Sequence, residues 1–538
     1  MENKQFVVVG LDGVRLDVVR RFADDLPNLS AFLDDGAAGT LRSVLPGPHS
    51  SAAWTSFSTG ANPGKHGISD WRQKDGYDFL PVTGADIAPP RFWQTLSDAG
   101  KTVGVFNIPL TSPPTPLNGV LVTSWTSASG QYAYPAEFET ELERIGYQRK
   151  ADFYSPDDPV ENLIETVKKR GEGIELFCDE YDWNLLVAMF YATEQAHHQF
   201  APFIDPDHPL HDPEEAESVK QVYQAVDEQI GQLRARVGDD TPFVVMSDHG
   251  FCPLYERIYV NRILEKHGYY TPASDTPDSS DLSLRSRLID TLKQLDVVRS
   301  SFRHASSVPV LKDVVESVIA SYRDESQRKS INADWSKTVA FNGLTHGGIF
   351  LNTKADNPKG IVDTDEVDDL VDDIISKLET DDYLGTRIEG AFRREDVFDG
   401  ENIEIFPHIV LRFRDGYLGS SGYEQRQSRP ASELRAGGDT IGFHTMDGLF
   451  LANGEQIRNT AVEGASILDI APTILHYFDQ PVPTHYDGDV LNDVFEPSTQ
   501  IRERSITHID SEFAETDREE SSADLDEIEE RLQDMGYL

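Results

Sequence analysis

Cysteine is nearly absent from this 538-residue chain: only Cys178 and Cys252 occur. Two thiols cannot build a disulfide framework or a thiolate-rich zinc site. Long apolar runs are missing too, and no stretch approaches the ~18 residues of a membrane-spanning helix. The opening MENKQFVVVGLDG carries no signal-peptide pattern, because its apolar run is short and leads straight into Asp12-Gly13. The expectation is a soluble, cytoplasmic protein without a membrane span. Positive charge is scarce, with 48 Lys+Arg against 93 Asp+Glu and a net charge of -45. That balance argues against binding duplex nucleic acid through a basic surface.

What is abundant is acid, spread along the whole chain. Such a charge strains the compact state by self-repulsion in dilute salt. At molar salt the Debye length falls to about 3 Å and exposed charges cease to feel one another. The composition therefore reads as halophilic, with an acidic partner-binding face as the alternative. The mean hydropathy of -0.43 and a hydrophobic fraction of 38% still leave enough apolar residues for a core.

Phe6–Leu11 (FVVVGL) is a short β-branched run that reads as a buried parallel strand. Similar runs recur at Val103–Phe106, Leu185–Tyr191, Phe243–Met246, Ile409–Phe413 and Leu449–Ala452, and helical patterns lie between them, as at Pro159–Glu180 and Pro213–Val237. Alternating strands and helices predict an α/β fold with a mostly parallel central sheet flanked by helices. Residues 264–337 differ: a Ser/Asp/Pro-rich stretch precedes helical periodicity, which suggests an inserted helical cap. The catalytic domain would then comprise 1–263 and 338–496. Tyr417–Gly438 reads as a long loop. The acidic tail 497–538 is either a solvated end or, over Ser522–Leu538, a short amphipathic helix.

In parallel α/β sheets ligands collect at the carboxyl ends of the strands. Asp12 ends the first run. Glu194 and His198 follow Leu185–Tyr191 at i, i+4 spacing, which places them on one helical face. Ser247 and then Asp248-His249-Gly250 follow Phe243–Met246. His444 precedes Leu449–Ala452. Each is weak alone: an Asp at a strand end is commonly a turn former, an i, i+4 Glu/His pair a surface pair, and a single His a packed residue. His197, about 100° round the helix from His198, reads as structural or exposed. Taken together, the set offers oxygen and imidazole ligands without thiolate, which suits zinc and admits manganese. Six ligands and a hydroxyl fit two ions better than one, as in sites that clamp both oxygens of an in-line phosphoryl displacement.

The blocks VVVGLDGVRLDVV (7–19), PHSSAAWTSFSTGANPGKHGISDW (48–71), LLVAMFYATEQAHHQF (185–200), FVVMSDHGF (243–251) and GFHTMDGLFLANG (442–454), in this order, resemble the type I phosphodiesterase/nucleotide pyrophosphatase group of the alkaline phosphatase superfamily. IFLNTKADNPKGIV (349–362) and SILDIAPTILHYFDQPVPTHYDGDVL (466–491) support the resemblance. It implies an alkaline phosphatase-like fold and a metal-dependent phosphoester hydrolase acting on a small-molecule substrate. It implies two divalent ions, zinc or else manganese: one on Asp12, Asp248, His249 and the nucleophile's oxygen, the other on Glu194, His198 and His444. Counting back from Thr59-Gly60 assigns the nucleophile to Ser50, with Ser51 the neighbour that a one-residue slip would choose. Without the resemblance, two serines before a helical run are an ordinary N-cap.

Four departures from the family pattern bear on substrate. Glu194 stands where an Asp is expected, and Ser50 where the diesterase branch often has Thr. Ser69-Asp70-Trp71 lacks the Asn that follows the HG step in that branch. His408 stands where relatives often have Asp and reads as structural. A phosphomonoesterase or phospho-group transferase of the same superfamily is therefore the alternative. A sulfatase is disfavoured, since Ser50–Trp54 lacks the Pro and Arg of the C/S-x-P-x-R setting, and a degenerate, non-catalytic homologue would hold fewer than two ions.

Overall fold

The computed structural model describes residues 4–45, 47–127, 130–149, 159–273, 331–437 and 439–510, together with 525, 527–529, 531 and 532 near the C-terminus. A nine-stranded sheet forms its centre. The strands run, from one edge to the other, Thr460–Val462, Ala37–Arg42, Asp447–Asn453, Phe243–Met246, Phe6–Leu11, Leu185–Phe190, Val103–Phe106, Gly119–Val122 and Ala133–Tyr134. Five consecutive strands, from Phe243–Met246 to Gly119–Val122, are mutually parallel, whereas Asp447–Asn453 and Ala133–Tyr134 run against their neighbours. Every side chain of Phe6–Leu11 is buried. Strand alternation sends Phe6 and Val8 into one apolar core and Val7, Val9 and Leu11 into the other. Helices cover both faces, so these strands need no polar side and read as unbroken apolar runs. Gly10 is the exception in size. A Cβ there would sit 2.2 Å from the Trp54 ring, so the missing side chain is what lets the Ser50–Thr59 helix lie against the sheet.

The two long helices occupy Pro159–Glu180 and Pro213–Val237, the second opened by Asp212, whose carboxylate accepts from Glu214 N. Ile409–Phe413 does not join the central sheet. It pairs antiparallel with Gly348–Leu351 and Ile388–Arg393 in a separate four-stranded sheet completed by Ala340–Asn342. That sheet has its own core, to which the helix Val367–Glu379 contributes Val371, Ile374 and Leu378. Asp447–Asn453 is in the central sheet but antiparallel. Tyr417–Gly438, expected as a loop, holds strands Tyr417–Ser420 and Ser428–Pro430 and the helix Ala431–Gly437, because both strands pair with Glu256–Tyr259. Most of the expected cap, residues 274–330, lies outside the described residues; its two ends meet at a Pro272–Ala333 bridge on the second core. In the tail, Ile528 and Leu532 are helical and buried in the first core. Among the described residues no helix is long and apolar enough to cross a membrane.

Candidate metal centre

The site gathers at the carboxyl ends of the three central strands. Asp12 follows Phe6–Leu11, and Gly13, at φ +72°, turns the chain so that its N–H reaches Asp248 Oδ1 at 3.4 Å. Asp248 and His249 follow Phe243–Met246, while Ser247 Oγ accepts from Val14 N at 2.8 Å and ties the two turns together. Glu194 lies in the first turn of the helix Ala192–Ile204, and His198 one turn later. His444 comes from a short strand, Gly442–Thr445, paired antiparallel with Gly250–Pro253, so this long-range pairing carries it back onto the site. Ser50 opens the helix Ser50–Thr59, all ten residues of which are buried.

Two ligand groups result, Glu194/His198/His444 and Asp12/Asp248/His249. All six residues are buried, and in each group the ligand atoms lie within 4.8 Å of one another. Ser50 Oγ stands between the groups, 3.0 Å from His249 Nε2 and 3.2 Å from Glu194 Oε1. Glu194 Oε1 is also 3.0 Å from His444 Nε2, 3.5 Å from His198 Nε2 and 3.9 Å from His249 Nε2, so the longer side chain that replaces Asp reaches both groups.

The imidazoles are aimed by their outer nitrogens. His444 Nδ1 is 2.7 Å from Pro48 O and His249 Nδ1 is 3.0 Å from Gly250 O. A carbonyl only accepts, so each Nδ1 carries the proton and each Nε2 turns a lone pair inward. His198 Nδ1 is 2.9 Å from Thr440 Oγ1, whose own proton goes to the carbonyl of His198 or Gly442, which leaves the same tautomer. Burial pushes the Asp12 carboxyl well above its ordinary range, and Asp248 and Glu194 push it the same way. Burial and Glu194 raise Asp248. Glu194 is also buried, yet the adjoining His198 and His444 rings outweigh burial and hold its carboxyl well below the carboxylate range. Burial lowers His249 and His444, which favours the neutral ring. Among the described residues, Asp12 Oδ1 and Asp248 Oδ2 have no hydrogen-bond donor. Three buried carboxylates, three inward lone pairs and two orphaned carboxylate oxygens form a donor set suited to two divalent cations.

The structure thus brings Asp12, Ser50, Glu194, His198, Asp248, His249 and His444 into one pocket. Ser51 points away, its Oγ 3.0 Å from His49 Nδ1. His197 is buried and structural, with Nδ1 2.9 Å from Gly13 O and Nε2 3.0 Å from Tyr223 Oη. His408 accepts from Leu351 N at 3.3 Å in the second sheet. Asp70 is buried beside the site, where it accepts from Thr345 Oγ1 at 2.8 Å and lies 3.7 Å from His49 Nε2. Sequence reasoning missed His49, Trp54, Thr345, His346 and Thr440. Of these only His49, adjacent to Ser50, carried any signal. Trp54 donates from Nε1 to Asp12 Oδ2 at 3.2 Å, and the His346 ring lies 4.7 Å from that of His49.

Residues 6–424 match the family model described as type I phosphodiesterase / nucleotide pyrophosphatase. No curated protein matches the chain. Among solved structures, murine ectonucleotide pyrophosphatase/phosphodiesterase 5 is similar with a TM-score of 0.51 at 14% identity, over 92% of this chain and 100% of that one. Phosphonoacetate hydrolase from Sinorhizobium meliloti 1021, in complex with phosphonoformate, gives a TM-score of 0.52 at 14% identity, over 87% of this chain and 94% of that one. The same enzyme in complex with phosphonoacetate gives 0.53 at the same identity and coverage. At this identity the likeness bears on the fold alone.

Proposed function

The chain belongs to the type I phosphodiesterase/nucleotide pyrophosphatase family and is a metal-dependent phosphoester hydrolase, and we propose that Ser50 is its nucleophile, working between two divalent cations. Asp12, Asp248 and His249 would hold one cation together with Ser50 Oγ, and Glu194, His198 and His444 the other. When bound, such ions neutralise the carboxylates, lower the pKa of a hydroxyl and clamp phosphoryl oxygens. Zinc fits the three imidazoles best, with manganese second. In this reading residues 1–263 and 338–496 form the catalytic unit. The acidic surface suits a salt-rich cytoplasm.

Ser50 Oγ attacks phosphorus in line, forming the Oγ–P bond as the ester oxygen leaves with the electron pair of the broken P–O bond and takes up, through solvent, the proton that the serine hydroxyl gives up. Water then cleaves the Oγ–P bond, restoring the serine hydroxyl and releasing phosphate or its monoester. Ser50 is the first residue of the Ser50–Thr59 helix, so the helix N-terminus adjoins the nucleophile. The N-cap residue, His49, makes no side-chain cap bond, and the N–H groups of the first turn suit non-bridging oxygens of the phosphoryl group. The helix holds Ser50 at a fixed distance from His249 and Glu194, so attack needs little reorientation.

The observation that carries this reading is the position of Ser50 Oγ between the two ligand groups, 3.0 Å from one and 3.2 Å from the other. The test is turnover of bis(p-nitrophenyl) phosphate and p-nitrophenyl phosphate at high salt with added zinc or manganese. Ser50→Ala should fold, bind both ions and lose turnover, while Ser51→Ala keeps most of it. The reverse pattern would move the nucleophile by one residue. The ratio of diester to monoester turnover in the unaltered protein separates the two branches.

A further inference from the structure

We propose that Thr345 is a positioning residue for the nucleophile: a hydroxyl from the second sheet that, together with Asp70, fixes the start of the Ser50–Thr59 helix through His49. This rests on the reading of Ser50 above and deepens it. His49 is the N-cap residue of that helix, at φ -125° and ψ 124°, where a side chain ordinarily turns back onto the free N–H groups of the first turn. His49 makes no such bond. Its buried ring points away from the helix instead, with Nε2 3.3 Å from Thr345 Oγ1 and 3.7 Å from Asp70 Oδ2. Nδ1 lies 3.0 Å from Ser51 Oγ. Thr345 gives its own proton to Asp70 Oδ2 at 2.8 Å. A hydroxyl has one proton, so Thr345 Oγ1 accepts from His49, the ring proton sits on Nε2, and Nδ1 accepts from Ser51. Asp70 also accepts from Arg72 N at 3.3 Å through Oδ1. The bonds therefore run in one direction, from Ser51 through His49 and Thr345 to a buried carboxylate, and such a chain is stiffer than its links taken singly.

Thr345 reaches the helix because the turn that carries it is held in an uncommon shape. It lies between Ala340–Asn342 and Gly348–Leu351 of the second sheet. Asn342 closes the turn by donating from Nδ2 to Gly348 O at 2.7 Å, and its own N–H goes to Asn261 Oδ1 at 2.7 Å. His346 follows at φ +65°, in the left-handed region that a residue with a side chain occupies only when its surroundings enforce it. Ring contacts at 4.7 Å with both His49 and Phe443 supply that enforcement. Ser51 belongs to the helix and moves with it, so its bond to His49 fixes nothing outside the helix. The bond at Nε2 is different, because it ties the residue before Ser50 to another sheet. Ser50 Oγ stands 3.0 Å from His249 Nε2 and 3.2 Å from Glu194 Oε1, and in-line attack from there tolerates little error. A displacement of about 1 Å can cost on the order of a hundredfold in rate. Without the Thr345 hydroxyl, the buried Nε2–H loses its acceptor and the helix start loses this anchor.

The experiment compares the full chain with Thr345→Val, which removes the hydroxyl at nearly constant shape, and Thr345→Ser, which keeps it. Kinetics use zinc-loaded protein and whichever of bis(p-nitrophenyl) phosphate and p-nitrophenyl phosphate the unaltered protein turns over faster. In Thr345→Val, kcat should fall about tenfold or more while KM stays within about twofold, because placement rather than binding is lost. Zinc content should not change. Hydrogen–deuterium exchange of the peptide spanning residues 48–56, measured on metal-free protein, should quicken in the same variant. Thr345→Ser should bring both readouts back near the unaltered values. A kcat within about twofold of the unaltered protein in Thr345→Val would overturn the proposal. So would a loss that Thr345→Ser does not restore, or a loss of kcat with unchanged exchange. Should Thr345→Val fail to fold, Asp70→Asn removes the carboxylate at constant shape; the same two readouts should move the same way, and no movement overturns the proposal. Failure of the hydrolase reading shows separately, as absence of turnover of either ester by the unaltered zinc- or manganese-loaded protein, while the exchange comparison still reports on Thr345.

Discussion

Replacing His66 by Gln should flatten the acid side of the stability profile. His66 is fully buried in the KHG turn that follows the Ser50–Thr59 helix, and burial lowers its pKa to about 3. Its Nδ1 accepts from Ile68 N at 3.1 Å, and its Nε2 contacts Ser56 Oγ at 2.9 Å, so the neutral ring with the proton on Nε2 satisfies both bonds. A second proton would remove the acceptor that Ile68 N needs. In the unfolded chain an ordinary histidine takes up that proton near pH 6.5, whereas the folded ring does so only near 3. Between those values the unfolded state binds more protons, so the contribution of His66 to stability falls as pH falls and is fully present only above the unfolded value. From about pH 7.5 to about 5.5 this single group should remove ~1.4 kcal/mol, because the unfolded ring gains about a tenfold statistical advantage over that interval. Guanidinium unfolding at fixed molar salt, followed by tryptophan fluorescence at the two pH values, gives the difference for the unaltered protein and for His66→Gln. Other buried groups contribute equally to both, so the quantity of interest is the difference between the two changes. Parallel profiles would show that His66 titrates normally or stays neutral when unfolded, and the argument from its buried turn would fail.

Three further outcomes test the site. Thr440→Val removes the acceptor for His198 Nδ1 while nearly keeping the shape, and zinc affinity measured by competition with a chelating dye should fall about 10- to 100-fold. Trp54→Phe deletes the indole N–H that Asp12 Oδ2 accepts and leaves a gap against Gly10; a loss of roughly 2–4 kcal/mol in guanidinium unfolding is expected. Chelation followed by thermal melting should lower Tm in a manner that added zinc reverses, with ~4 kcal/mol lost per ion if each had been present at about a thousand times its Kd. An unchanged melting curve after verified metal removal would contradict the burial of three carboxylates around cations.

The central sheet was legible because burial on both faces leaves a plain trace: Phe6–Leu11, Leu185–Phe190 and Phe243–Met246 are all fully buried and all apolar. The two long helices were legible from their periodicity and, for the second, from Asp212-Pro213 at its start. Direction and sheet membership were not legible, since neither is a local property. Asp447–Asn453 is covered on both sides and so carries the same signature as a parallel strand, although it runs the other way. Ile409–Phe413 has a similar run of letters, but its partners in the second sheet lie at Gly348–Leu351 and Ile388–Arg393, tens of residues away or set by a hairpin. The strands within Tyr417–Gly438 were hidden because three- and four-residue strands depend on their partner, here Glu256–Tyr259, rather than on their own composition.

The ligand residues were visible because metal chemistry restricts the side chains that can serve, and the resemblance fixed their number. What aims them was invisible for the opposite reason. His444 is oriented by the carbonyl of Pro48, His249 by that of Gly250 and His198 by a threonine hydroxyl, and any residue supplies a carbonyl. Only the fold decides which one arrives. Glu194 shows the same division of labour. As a letter it was a departure from the expected Asp, with one methylene too many. In place, that methylene carries Oε1 to within 3.0 Å of His444 Nε2 and 3.2 Å of Ser50 Oγ, which joins the nucleophile to the second ligand group through one carboxylate. An Asp at this position would be shorter by about one C–C bond and could not make both contacts from the same backbone. The substitution is therefore matched to the spacing of its surroundings, and its effect on metal preference is a property of that spacing, which no reading of residue 194 by itself could supply.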